Sequence, residues 1–186
     1  MIRALLLSVM LFQAAQPGAP KSVIDNERVT VWNVTGPAAS NDMPSLDTVV
    51  VSSSGNAAFF TKGKTPKVNG RSLVIALKDH PVPPIKNTSG YPPGFPRPGA
   101  KKLLENDRVI VWDYTWQPGV PTPMHFHDKD VVVWFLEDGD LKSTTPDGKE
   151  TVTQYTADTV RFNQSNRTHS ETLVKGKQRA LITELK

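Results

Sequence analysis

The sequence predicts an all-β protein, an antiparallel barrel or sandwich built from short strands. Three observations carry that expectation. Runs of β-branched and aromatic residues recur along the chain, among them Val29 to Trp32, Val109 to Trp112 and Val131 to Leu136. Turn formers are frequent, with 16 prolines and 12 glycines in 186 residues, and Asp138-Gly139 and Asp147-Gly148 are hairpin dipeptides. After residue 20 no long segment repeats apolar residues at helical spacing. With 38% hydrophobic and 22% charged residues, the chain can bury a core as one domain or as two small repeated halves.

The first twenty residues have the plan of an export signal. Met1-Ile2-Arg3 is a short positive start, Ala4 to Phe12 is apolar except for Ser8, and Ala14-Ala15 are small. The expectation is a signal peptide over residues 1–20, cleaved near 15–19, and a periplasmic or extracellular protein with no membrane contact after cleavage. The apolar run is too short to span a bilayer comfortably.

Strand elements follow. Asn26-Glu-Arg-Val-Thr-Val-Trp-Asn-Val-Thr35 returns as Asn106-Asp-Arg-Val-Ile-Val-Trp-Asp-Tyr-Thr115, with six of ten positions identical. Arg71 to Lys78 is echoed by Arg179 to Lys186. Two copies of one supersecondary plan are therefore expected, a half over residues 24–80 and a half over 101–186. Between them, residues 81–98 hold seven of the sixteen prolines. Proline supplies no ladder donor, so residues 81–100 read as an irregular linker running over the surface. The first half is too short to close a barrel alone, so the halves should pack into one unit. Apolar residues on both strand faces also suggest a homodimer.

Composition excludes several functions. The chain has no cysteine, hence no disulfide scaffold, thiolate metal site or cysteine nucleophile. Its 22 basic and 18 acidic residues form no dense cationic stripe, so nucleic acid is not an expected partner. There is no glycine-rich phosphate loop and no zinc-finger spacing. Trp32, Trp112, Trp116 and Trp134 read as core residues. Lys62, Lys64 and Lys67 read as a solvated hairpin, and His80 as surface.

The chemistry rests on the other histidines. His125 and His127 are two apart, so on a strand both point to one face while Phe126 turns away. His169 lies downstream in a second strand-like segment. Three imidazoles converging from different strands suit one divalent ion: Fe, Mn, Zn, Ni or Cu. Val131, Val133 and Phe135 share an inward parity, which points to a tight, rather dry pocket for a small molecule.

Gly119, five residues, His125, one residue, His127 and then Gly139 together resemble the first motif of the cupin superfamily. The resemblance covers residues 106–186, and the internal repeat extends it to a degenerate first half with no histidine in its strands. It implies an antiparallel cupin or jelly-roll barrel holding a metal ion at His125, His127 and His169. The family's glutamate ligand has no counterpart, since Val131 and Val132 stand at its spacings. The second motif is worn, with Ala157, Asn163, Ser165 and Leu173 at its glycine, proline, glycine and asparagine positions. Two acids could compensate. Asp130 needs a bulge to turn inward and reads better as a solvated rim acid. Glu171 shares the inward parity of His169 and could ligate the ion, carry a proton as a catalytic group or orient a histidine; equally it could pair with a lysine of 175–177. Two functions remain open: a small metalloenzyme of dioxygenase, decarboxylase or isomerase type, or a non-catalytic ligand-binding or structural barrel.

Overall fold

The structure, a computed structural model, describes residues 21–36, 46–66, 68–80, 82 and 85–186. The expected signal peptide lies outside these residues, as does Lys67. No helix occurs among the described residues, and the expectation of an all-antiparallel β protein holds.

Among the described residues, fourteen strands form three sheets. β1 (Ile24–Asp25), β2 (Val29–Thr35), β3 (Asp47–Ser52), β4 (Asn56–Phe60) and β5 (Arg71–Leu77) make the first, in the order β1-β2-β5-β3-β4. The second half contributes β6 (Lys101–Glu105), β7 (Val109–Thr115), β8 (His125–His127), β9 (Asp130–Phe135), β10 (Gly139–Thr144), β11 (Glu150–Tyr155), β12 (Val160–Asn163), β13 (Arg167–Gly176) and β14 (Arg179–Leu185). These build a five-stranded sheet, β6-β7-β14-β9-β12, and a four-stranded sheet, β8-β13-β10-β11. The two close over a shared apolar interior as a barrel.

The two five-stranded sheets have the same strand order. β1, β2, β5, β3 and β4 match β6, β7, β14, β9 and β12, and the register agrees: Asp47 faces Leu77 as Asp130 faces Leu185. Among the described residues, the four-stranded sheet has no counterpart in the first half. There residues 53–55 suffice to join β3 to β4, whereas residues 136–159, carrying β10 and β11, join β9 to β12. Among the described residues, the first half thus shares the strand order of one sheet of the barrel and not of the other.

Equivalent faces of these sheets pack on each other. Alternation sends Val29, Val31, Leu73, Ile75, Val49 and Val51 from one sheet against Val109, Val111, Leu181, Val132 and Trp134 from the other, in one buried cluster. Burying a side chain of this size contributes about 1.5–3 kcal/mol. The opposite face of the second sheet carries Trp112, Tyr114, Val133, Phe135 and Ile182 into the barrel. That sheet is covered on both sides, which explains the near-continuous burial of β9 and β14.

Polar contacts at the rim repeat the same symmetry. Asn26 Oδ1 accepts from the amides of Arg28 and Val29, and Asn106 Oδ1 accepts from those of Arg108 and Val109. Each turn aims its arginine across the interface. Arg28 reaches Asp130 at 3.0 Å and the Lys186 carbonyl at 3.4 Å; Arg108 reaches Asp47 at 2.9 Å and the Lys78 carbonyl at 3.3 Å. Asp130 is therefore no solvated rim acid. It is buried, pairs with Arg28 and accepts the Ser165 amide at 2.8 Å.

The proline-rich segment departs from the expected surface path. Pro92 O accepts the Phe126 amide and Gly94 N donates to the Phe126 carbonyl, each at 2.8 Å. These bonds pin a strap along the free edge of β8. Phe95 then enters the barrel and stacks on Trp112, with ring centroids 5.2 Å apart. A proline cannot donate, but Gly94 can, so the segment has a polar route into the fold.

Because Ile75 is fully buried between the two sheets, Ile75→Ala should cost about 2–5 kcal/mol. Urea unfolding followed by tryptophan fluorescence and far-UV circular dichroism should give one coincident transition in wild type and variant. Two separate transitions would contradict packing of the halves as one unit.

Candidate metal centre

β8 and β13 pair antiparallel, with His125 opposite His169 and His127 opposite Arg167. The HFH alternation sends both β8 imidazoles into the barrel and Phe126 outward, where the strap buries it. On β13 the same parity turns Arg167, His169 and Glu171 inward. The three histidines meet: His127 Nε2 lies 3.1 Å from both His125 Nε2 and His169 Nε2. One nitrogen from each of the three falls within 4.8 Å of the others. His125 and His127 are buried and His169 is half-buried.

The donor chemistry suits a cation. The Pro123 carbonyl, 2.7 Å from His125 Nδ1, can only accept, so Nδ1 carries the hydrogen and Nε2 keeps its lone pair. His169 Nδ1 faces Ser143 Oγ at 3.4 Å. Nitrogens each about 2.1 Å from a shared ion, at right-angled to tetrahedral spacing, stand roughly 3.0–3.4 Å apart. The 3.1 Å separations fit such a set. Gly94 of the strap packs on the cluster: a Cβ there would stand 3.1 Å from His127 Cε1 and 3.3 Å from His125 Cδ2.

Burial, reinforced by the Arg97 guanidinium, lowers His125 to about 4, against an upward pull from the Pro123 hydrogen bond. Burial and then Arg167 lower His127. Burial lowers His169 as well, with Glu171 opposing. All three imidazoles are therefore neutral at pH 7, the form that ligates.

Glu171 faces the interior, so the alternative pairing with Lys175–Lys177 does not hold. Its Oε2 accepts from Trp116 Nε1 at 3.3 Å and lies 3.6 Å from Arg97 NH2. It stands outside the three-histidine cluster. Burial pushes its carboxyl up, but Arg97, His169, His125 and the Trp116 bond outweigh that and hold it below the usual carboxylate range. Arg97 comes from the strap, its side chain only 6% exposed. It lies over the Tyr114 ring at 4.0 Å, faces His125 Nε2 at 3.4 Å, and its buried Nε has no partner.

Beside the histidines opens a cavity of about 200 Å³. Val131, Val133 and Phe135 line it, as their parity predicts. The rather dry pocket expected from those three is not what forms, because Arg97, Arg161, Arg167, Asn163 and Thr153 share the wall. Arg167 was legible in principle, two residues before His169 on the same face. Arg97 gave no signal, since nothing in a proline-rich segment marks the residue that enters the barrel. Glu184 was also missed: it shares the inward parity of Ile182 and accepts from Trp112 Nε1 at 2.8 Å.

Among solved structures, the chain is similar to cupin domains. One, from Bordetella pertussis Tohama I, is 28% identical, with 50% of this chain and 99% of that chain covered and a TM-score of 0.43. A cupin 2 conserved barrel domain protein from Leptotrichia buccalis is 10% identical over 89% of this chain and 88% of its own, with a TM-score of 0.47. The polyketide cyclase RemF from Streptomyces resistomycificus is 22% identical over 56% and 80%, with a TM-score of 0.38. No protein-family model and no curated protein matches the chain.

The depressed histidines set a pH dependence. An unfolded imidazole titrates near 6.5, whereas folded His125 titrates at about 4. Below the unfolded value the unfolded chain binds the proton more tightly, so stability is full above about pH 6.5 and is lost as pH falls toward 4. Chelator-treated protein should lose a few kcal/mol across that window in urea titrations. His125→Gln should flatten the slope, and a flat wild-type profile would contradict the buried neutral imidazoles.

Proposed function

We propose that this chain is a cupin-fold metalloprotein that holds one divalent ion at His125, His127 and His169 and admits a small organic molecule to the adjoining cavity. The observation that carries the reading is the convergence of the three Nε2 atoms beside that cavity. Three neutral nitrogen donors suit Fe, Mn, Zn, Ni or Cu. A bound ion would supply Lewis-acid polarisation to a ligand in the cavity. The protein's part is to orient the donors, through the Pro123 carbonyl on His125 and the strap against His127, and to exclude bulk water with Phe95 and Phe135.

Glu171 is ionised at neutral pH and so is suited to accepting a proton rather than donating one. Its engagement by Arg97 and Trp116 favours a second reading, in which the cavity holds its ligand without turnover and Glu171 only fixes Arg97. The proposal extends to export, on the signal-like residues 1–20. N-terminal sequencing of native material should find them removed, and an intact Met1 in the cytosolic fraction would contradict export.

Elemental analysis of protein purified without added metal should find close to one ion per chain. His125→Ala, His127→Ala and His169→Ala should each abolish stoichiometric metal. Retention of full metal by the triple variant would end the reading. Glu171→Gln should keep the ion, because Glu171 stands outside the donor set; turnover lost with metal retained would identify it as the proton carrier.

Gly94→Ala is a finer probe. The added methyl must displace His127 by a few tenths of an ångström, and disturbing a contact that orients a ligand costs about tenfold or more in metal affinity. Competition against a chromophoric chelator should show weaker binding with an unchanged circular dichroism spectrum. Unaltered affinity would mean that the strap does not position His127.

A further inference from the structure

We propose that the cavity beside the three histidines takes a small organic carboxylate, bound by the Arg167 guanidinium with Arg161 at the entrance. The inference deepens the small-molecule reading of the same site and rests on it for the cavity, while the ion is not needed for it.

The charge balance of the lining argues for an anion. Arg97, Arg161 and Arg167 face the cavity against one carboxylate, Glu171. Arg97 engages that carboxylate at 3.6 Å. Among the described residues no carboxylate lies within salt-bridge distance of Arg161 or Arg167. Arg161 NH1 donates to Tyr155 Oη at 3.3 Å. Arg167 uses Nε on the Gln164 carbonyl at 2.6 Å, which leaves its two terminal nitrogens without protein acceptors among the described residues. Glu171 and Asp130 act on half-buried Arg167 only through space; a ligand anion would give its terminal nitrogens the direct partner that offsets their desolvation.

The shape of the lining argues for carbon attached to that anion. The paired N–H groups of a guanidinium match a carboxylate bidentately. Val131, Val133, Phe135 and Ile182 form an apolar wall that would face the body of such a ligand. An inorganic oxyanion would leave that wall against water. Asn163 and Thr153 add neutral hydrogen-bonding groups for a second polar end. Arg167 pairs in register with His127, so a carboxylate on Arg167 lies toward the histidine cluster.

The test uses the full chain after chelator treatment and dialysis into buffer free of carboxylates and phosphate. Acetate, succinate and benzoate are titrated by calorimetry and by the fluorescence of Trp116, which lines the cavity. At least one should bind with saturation, and its neutral amide should not. Arg167→Gln should weaken that binding tenfold or more, and Arg161→Gln by less, both with wild-type circular dichroism; Arg167→Lys should restore part of it. No response to any of the three acids would overturn the proposal, as would undiminished binding by a folded Arg167→Gln protein. Inorganic phosphate binding as tightly as the best acid would overturn the carboxylate assignment. Metal content is measured separately on untreated protein, so a failed metal reading shows as an empty protein that still binds carboxylate. A failed carboxylate reading shows as a metal-loaded protein that does not.

Discussion

The packing of two equivalent sheets is the contact on which the rest of the molecule depends. The five-stranded sheet of the barrel has an apolar outer face, with Val109, Val111, Val132, Trp134 and Leu181. Left in water, that face would be a large hydrophobic patch. The first half covers it with the matching face of the same strand plan, closed at the rim by the reciprocal pairs Arg28–Asp130 and Arg108–Asp47. A sheet held from outside in this way can present its inner face as a firm wall, and Val131, Val133 and Phe135 of that wall line the cavity.

This arrangement accounts for the division of labour between the halves. The first half keeps the strands that make the interface and omits those that make a site. His125, His127 and His169 all sit on strands of the four-stranded sheet, which has no counterpart among the described residues of the first half. No histidine lies on a described strand of the first half, and its single histidine, His80, follows β5.

The strap links architecture to electrostatics. By bonding to both sides of Phe126, it protects an edge that would otherwise offer unpaired backbone groups, and it delivers Phe95 and Arg97 to the interior. Arg97 neutralises Glu171 and, lying close to His125, helps keep that imidazole uncharged. A cluster of neutral nitrogens thus lies beside guanidinium groups, the first able to hold the proposed cation and the second the proposed anion. Were both bound, each would lessen the electrostatic cost of the other, since opposite charges at short range attract strongly in a low-dielectric interior.

The sequence by itself determined the elements with a strict local period. Alternation in Val29 to Thr35 and Val109 to Thr115 defined strands and their faces, the ten-residue likeness marked β2 and β7 as similar strands, and the spacing of His125 and His127 set two imidazoles on one side of one strand. Those are consequences of a two-residue repeat that needs no partner to be recognised. The likeness of Gly119, His125, His127 and Gly139 to a cupin motif added the barrel and the third histidine. What only the tertiary structure decided is whatever depends on which segments meet. Nothing in Pro81 to Pro98 distinguishes a surface linker from a strap, because the difference lies in the free edge of β8 that accepts it. Parity turned Glu171 inward but could give neither its partner nor that of Asp130, since Arg97 and Arg28 lie 74 and 102 residues away in sequence. Long-range pairing of charge is set by chain closure and shared burial, and no local pattern encodes it.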